Sequence, residues 1–204
     1  MNNDRYSLSF TTGGLFHRES VKLAELYLPL GDWDGLRNAA ISRNILQSRT
    51  LSTLKRVFSE VVSRLKTFSP EELHFLVTAG PQDQGYLLWL AVCRRYTFIG
   101  EFAVEVVRER YLTLKADLCY DDFDSFFHKK SERHSGLDKI TPATRAKLRQ
   151  VLFKMLREAD ILSARNLINP AIPGQGLLSL LLRGNRRGIS FLPVFEPDLK
   201  TVGQ

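Results

Sequence analysis

The sequence is short of the residues that cross-link a fold or anchor it in a membrane. Its 204 residues include two cysteines, Cys93 and Cys119, which lie far apart with no CxxC pairing. We therefore expect free thiols in a reducing cytoplasm and no disulfide framework. The longest apolar runs, 86–93 and 177–182, are far shorter than the roughly 20 residues of a membrane-spanning helix, and the polar start 1–14 does not resemble a signal peptide. These absences predict a cytoplasmic protein that does not enter a membrane.

Local signatures of catalysis are also missing. GxGxxG, HExxH, GxSxG and the phosphate loop GxxxxGK followed by Ser or Thr are all absent, and the histidines are scattered. Only His128 and His134 are close in sequence, and with Asp121, Asp122 and Asp124 they could hold a metal ion. Capping by Asp121 and solvated helix side chains are the more ordinary roles for these groups. We predict a protein that is not an enzyme and has no cofactor.

Positive charge is what the sequence has in excess. Twenty-nine Lys and Arg stand against 22 Asp and Glu, giving a net charge of +7 and a pI near 9.6. Surplus cations release counterions when they meet phosphates, so nucleic acid is the first partner to test. An anionic membrane surface or an acidic protein would also attract this charge. Hydrophobic residues at 44% indicate an ordinary globular core in either case.

Hydrophobic periodicity and capping signals predict a mainly helical, all-α fold. Ser69-Pro70-Glu71-Glu72 and Thr141-Pro142 are strong helix starts, and Asp34 is expected to cap the second helix. The segment 82–95 is almost wholly apolar, which predicts the central helix of a compact bundle. The predicted helices cover 15–28, 36–47, 50–68, 70–79, 82–95, 98–115, 121–136, 142–159 and 175–182.

The C-terminal part is less regular. Residues 161–172 predict an extended or hairpin element, and 189–195 predict one short strand. No internal repeat or flexible linker occurs, so 1–204 is expected to form a single compact helical unit. A boundary near 118 would instead give an N-terminal helical subdomain 1–118 and a basic C-terminal helical subdomain 119–204.

Basic residues concentrate at three places where phosphate contact is plausible. The first is the third helix, where basic and hydroxyl side chains recur at three- and four-residue spacing, and the second is the helix that begins at Thr141. The third is a glycine-flanked turn near the C-terminus. An ordinary solvated face remains the alternative for each. The candidates are Arg49, Lys55, Arg56 and Arg64, then Lys147, Lys154 and Arg157, then Arg186 and Arg187.

Several segments together resemble the BrxA family of bacterial BREX phage-exclusion systems. They are Tyr6 to Leu15, Asp32-Trp33, Trp89 to Tyr96, Asp122-Phe123 and Thr144 to Glu158. The resemblance implies a cytoplasmic BREX component with a helical fold similar to the antitermination factor NusB. It also implies binding of double-stranded DNA, with no known catalysis, beside other BREX subunits such as a methyltransferase and an ATPase. No family motif assigns DNA contacts to particular residues here.

Function follows from charge and resemblance together. We predict a non-catalytic accessory subunit that contacts the backbone of duplex DNA with little sequence specificity. Two alternatives stay open: an assembly subunit that binds other BREX proteins without binding DNA, and an RNA-binding protein in the manner of NusB. The segment 6–15 is expected to pack on the bundle, although it could be a docking strand for a partner.

Overall fold

Helices make up most of the chain, as predicted. The computed structural model describes residues 6–11, 13–134, 136–184 and 186–195, apart from the side chain of Arg186. The α-helices are α1 (His17–Leu30), α2 (Trp33–Ser42), α3 (Leu51–Leu65), α4 (Pro70–Thr78), α5 (Pro81–Arg95), α6 (Thr97–Phe102), α7 (Glu109–Leu112), α8 (Tyr120–Ser131), α9 (Pro142–Glu158) and α10 (Gln175–Arg183). A π-helical segment, Ala103–Arg108, joins α6 to α7, and a 3-10 helix covers Arg186–Phe191.

Polar side chains fix where the helices begin. Ser69 and Glu72 form the predicted capping box at α4, and Thr141 accepts a hydrogen bond from the backbone N–H of Thr144 at the start of α9. The predicted cap of α2 was wrong. Asp32, not Asp34, accepts from the first-turn amides at 2.7 and 3.0 Å, so α2 starts three residues earlier than expected.

Helix α5 is the centre of the bundle, as its composition predicted. Every residue from Gln84 to Cys93 is buried, and helices α1, α3, α4, α6 and α9 pack around it. The indole N–H of Trp89 donates to the backbone oxygen of Phe191 at 2.9 Å. The central helix thereby also holds the C-terminal part of the chain in place.

The C-terminal segment confirms one prediction and corrects another. Isolated antiparallel bridges join Leu162 to Ile168 and Asp117 to Leu167, which is the short hairpin element expected. The predicted strand 189–195 is wrong, because the described residues 186–191 form a 3-10 helix instead. Phe191, Leu192 and Val194 are buried there. The backbone oxygen of Phe191 accepts from the indole of Trp89, and that of Pro193 accepts from the backbone N–H of Ala171, so these contacts take the place of a strand partner.

The N-terminal segment packs on the bundle, as favoured over a free docking strand. Phe10 is fully buried and its ring lies 5.4 Å from that of Tyr96, centroid to centroid. The phenol of Tyr6 donates to a carboxylate oxygen of Glu101 at 2.6 Å. Leu15 is also buried. Through Phe10 and Leu15 this segment contributes to the core of the fold.

Candidate nucleic-acid interface

Helix α3 turns one side to the core and the other to solvent. Its inner stripe contains Leu54, Phe58 and Val61, so Lys55 and Arg56 lie on the outer side and are exposed. Arg49 is exposed as well, but it precedes the first residue of the helix by two positions and belongs to the connection from α2. Three of the four residues that were predicted to contact phosphate in this region are therefore exposed.

Six exposed cations lie on α2 and α3, on the connection between them and directly after the last residue of α3. None of them has a carboxylate within ion-pair distance among the residues that the structure describes. Their charge is consequently available to an anionic partner. We call this set the α2–α3 basic surface; it consists of Arg37, Arg43, Arg49, Lys55, Arg56 and Lys66.

Arg64 does not belong to this surface, and its prediction as a phosphate contact was wrong. Its side chain is only 2% exposed and points inward. It pairs with Glu60, donates to the backbone oxygen of Gly14 at 2.8 Å, and lies over the ring of Phe16. A phosphate cannot reach a guanidinium that is enclosed and already paired.

The cations of α9 are exposed or half-buried, but most have partners within the protein. Lys147 contacts the side-chain oxygen of Gln150 at 3.2 Å, and Lys154 lies 3.6 Å from Glu158. Arg157 donates to Asn166 at 2.6 Å. Lys154 is thus matched by a carboxylate, whereas the amide oxygens of Gln150 and Asn166 hold Lys147 and Arg157 in place without cancelling their charge.

Two further arginines of α9 are held by one acid of α8. Arg145 and Arg149 both pair with Asp124, and their guanidinium groups lie over the rings of Phe127 and Tyr120. Asp122 and Asp124, two of the three acids considered as metal ligands, therefore have partners within the protein. Asp122 accepts a hydrogen bond from the backbone N–H of Cys119 and pairs with Arg110, so the expected cap Asp121 is replaced. Within the described ranges, no set of three or more acidic, His or Cys side chains is placed to hold a metal ion.

The third predicted place gives a mixed result. Arg187 is exposed on the 3-10 helix and lines a cleft together with Glu101 and Glu105, so acids share its surroundings. The side chain of Arg186 and the whole of Asn185 lie outside the described residues. Of the two arginines predicted here, the structure therefore describes the side chain of Arg187 alone.

A groove between α2 and α3 contains residues that the sequence argument missed. It encloses about 220 Å³ and is lined by Arg37, Lys55, Lys66 and the indole of Trp33. Arg37 follows Trp33 by four positions in α2, a spacing that places both on one side of a helix. That spacing was a usable signal, but recognising it required knowing that α2 begins at Trp33.

The chain is similar to the members of one known protein family. A model of the BrxA family matches residues 4–185. A protein named BREX protein BrxA from Escherichia coli O9:H4 (strain HS) is 25% identical over 203 residues, which span 99% of this chain and 88% of the relative. A second protein of that name, from Paramagnetospirillum magneticum (strain ATCC 700264 / AMB-1), is 26% identical over 163 residues, covering 80% of this chain and 82% of the relative.

A solved structure shares the fold. The crystal structure of an uncharacterized protein from Magnetospirillum magneticum superposes with a TM-score of 0.80 at 22% sequence identity. The match covers 93% of this chain and 98% of that chain.

No helix in the described part of the chain has the length and apolar character to cross a membrane.

Proposed function

Because the chain belongs to the BrxA family, we propose that it is a subunit of a BREX phage-defence system and that its task there is to bind duplex DNA without catalysis. Relatives named BREX protein BrxA support the first half of this proposal. The DNA contacts are made by the α2–α3 basic surface, and other subunits of the system supply the chemistry.

The observation that carries the proposal is the difference in charge pairing between the two predicted helix faces. Three of the five cations on α9 lie beside Asp124 or Glu158, whereas Lys55, Arg56 and Arg49 have no acidic partner in the described residues. Unmatched cations gain most from meeting phosphates, because binding releases the counterions condensed on the DNA. Such contacts fix position on the duplex but carry no sequence information.

The test compares two triple variants that remove the same net charge. One changes Arg49, Lys55 and Arg56 to Ala, and the control changes Lys147, Lys154 and Arg165, which are all exposed, to Ala. Fluorescence anisotropy with labelled duplex DNA, single-stranded DNA and RNA of matched length is recorded at several salt concentrations. The first variant is expected to lose about 0.9 from the salt slope for each lost phosphate contact, while the control keeps most of the slope.

Each other outcome points to a different function. Equal losses in both variants would mean that net charge alone attracts DNA, and a loss confined to the control would move the interface to the surface that carries Lys147, Lys154 and Arg165. If the unaltered protein fails to bind duplex DNA near physiological salt, the chain is an assembly subunit that meets an acidic protein. A preference for RNA over duplex DNA would favour the RNA-binding alternative.

A further inference from the structure

The α2–α3 groove combines positive charge with an aromatic wall. Arg37, Lys55 and Lys66 line it against a single carboxylate, that of Asp34. Ser59 and Ser63 line the same groove. Its volume of about 220 Å³ is below the roughly 300–1,000 Å³ of pockets that enclose a whole small-molecule ligand. A group that enters is therefore one part of a larger molecule, and the surplus of cations requires that part to be anionic.

The aromatic wall is a stacked pair. The rings of Tyr27 and Trp33 are nearly parallel, 3.7 Å apart between centroids and inclined by 15°. Both rings are half-buried, and the ammonium of Lys66 lies 5.8 Å from the centre of the indole. Because Tyr27 already holds the indole in place, a planar group that stacks on Trp33 would not have to order the indole first.

We propose that this groove binds one unpaired nucleotide of a nucleic acid whose duplex part lies on the α2–α3 basic surface. The base stacks on Trp33, and the phosphate is met by Lys55 and Arg37. Positive grooves with aromatic walls bind single strands in this way, because every base has a face that can stack. The inference rests on the proposed function, since the duplex contacts bring the strand end to the groove.

A nucleotide fits these observations better than an acidic peptide does. A peptide would satisfy the cations, but its Asp and Glu side chains would leave the indole unused, and Phe58 and Val62 below it are too buried to take apolar anchors. In a nucleotide, the anionic phosphate and the flat base belong to one residue of the ligand and therefore lie next to each other. The α2–α3 groove offers both partners together.

The first experiment uses the intrinsic fluorescence of the unaltered protein. The sequence has two tryptophans; Trp89 is fully buried in α5, whereas Trp33 is half-buried at the groove. A duplex with a short single-stranded overhang is expected to quench the Trp33 emission, and a blunt duplex of the same length is expected to leave it unchanged. Quenching by both duplexes alike, or by neither, would overturn the inference.

The second experiment measures affinity by anisotropy for the same two duplexes. Stacking of one base on an aromatic side chain contributes about 1–3 kcal/mol, so the overhang is expected to strengthen binding by about 5- to 150-fold. The Trp33→Leu variant should lose this gain and keep its affinity for the blunt duplex. Because the indole also packs α2 on α1, Trp33→Phe is included as a folded control that should retain part of the gain.

The outcomes separate the two proposals. No salt-sensitive binding of the blunt duplex would refute the proposed function. Binding of the blunt duplex with no gain from the overhang, or a gain that survives in Trp33→Leu, would refute only the nucleotide site. A polyglutamate peptide and an oligonucleotide can each be added as competitors of the quenching at Trp33. If the peptide abolishes the quenching more strongly than the oligonucleotide does, the groove binds an acidic protein.

Discussion

Arg64 carries its charge inside the protein because a network of partners surrounds it. Its Nε donates a hydrogen bond to Glu60 at 2.9 Å. Its Nη2 lies 2.7 Å from the same carboxylate as an ion pair, but the geometry there is not that of a hydrogen bond. Tyr96 donates to that carboxylate as well. Burial, followed by this hydrogen bond to Glu60, raises the pKa of Tyr96 to about 12, so the phenol stays protonated and keeps donating. The network joins α3, the connection between α5 and α6, and the N-terminal segment.

Replacing Arg64 should therefore affect stability and leave DNA binding alone. Arg64→Met keeps the length of the side chain but leaves Glu60 without its cation, and breaking a buried pair in this way costs about 3 kcal/mol. Urea unfolding measures the loss, and the exposed Arg56→Met is the matched control, expected to change stability by about 0.5 kcal/mol or less. A stable Arg64→Met protein with a reduced salt slope for duplex DNA would contradict the buried role.

Glu101 anchors the other end of the N-terminal segment. It accepts from Tyr6 at 2.6 Å and pairs with Lys130, which also contacts Glu105 at 2.7 Å. Partial burial would raise the pKa of Glu101, but hydrogen bonds from Lys130 and Tyr6, together with the charges of Lys130 and His134, outweigh it and lower the pKa. The folded protein thus favours the ionised carboxylate.

This shift predicts how stability depends on pH. A carboxylate with a lowered pKa contributes its stabilisation fully above the unfolded value of about 4.3, and the contribution disappears as the pH falls through the folded pKa. The difference in unfolding free energy between the unaltered protein and Glu101→Gln should accordingly be largest near neutral pH and shrink in acid. Urea unfolding at several pH values measures it, with the exposed Glu132→Gln as control. A difference in unfolding free energy that grows as the pH falls would contradict this prediction.

At the scale of elements, capping signals and hydrophobic periodicity predicted most of the helices from the sequence. The capping box at Ser69 and the Thr141-Pro142 start were readable because they depend on neighbours within one turn. The π-helical segment Ala103–Arg108 was not readable, since its different hydrogen-bond spacing leaves no mark in an ordinary helical pattern. The strand predicted at 189–195 failed because contacts with a distant residue, Trp89, determine that segment.

The candidate interface shows the same division. Exposure of Lys55 and Arg56 follows from the apolar stripe of α3, so the sequence sufficed to predict it. The burial of Arg64 did not follow, because its partner Gly14 is distant in the chain and arrives only when the N-terminal segment folds over α3. The pairing of α9 with Asp124 likewise depends on how α8 and α9 lie side by side.

At the scale of the whole molecule, contacts cross the boundary that the sequence suggested near residue 118. The ring of Phe98 in α6 lies within 6 Å, centroid to centroid, of the rings of Phe123, Phe126 and Phe127 in α8. The phenol of Tyr86 in α5 accepts from the backbone N–H of Ile172 at 3.3 Å. Buried residues from both halves belong to one hydrophobic cluster. These contacts favour a single cooperative unit, which stays a prediction until unfolding is measured.

Two core substitutions test that prediction, one on each side of the boundary. Phe10→Ala and Leu152→Ala both empty fully buried sites, and each should destabilise the protein by about 3 kcal/mol. Pulse-labelling hydrogen exchange across a urea series reads the unfolding of α5 and α9 separately. One cooperative unit requires that each substitution lower the midpoint of both helices equally. Separate subdomains would let Phe10→Ala shift α5 alone and Leu152→Ala shift α9 alone, and DNA would then stabilise only the half that carries the α2–α3 basic surface.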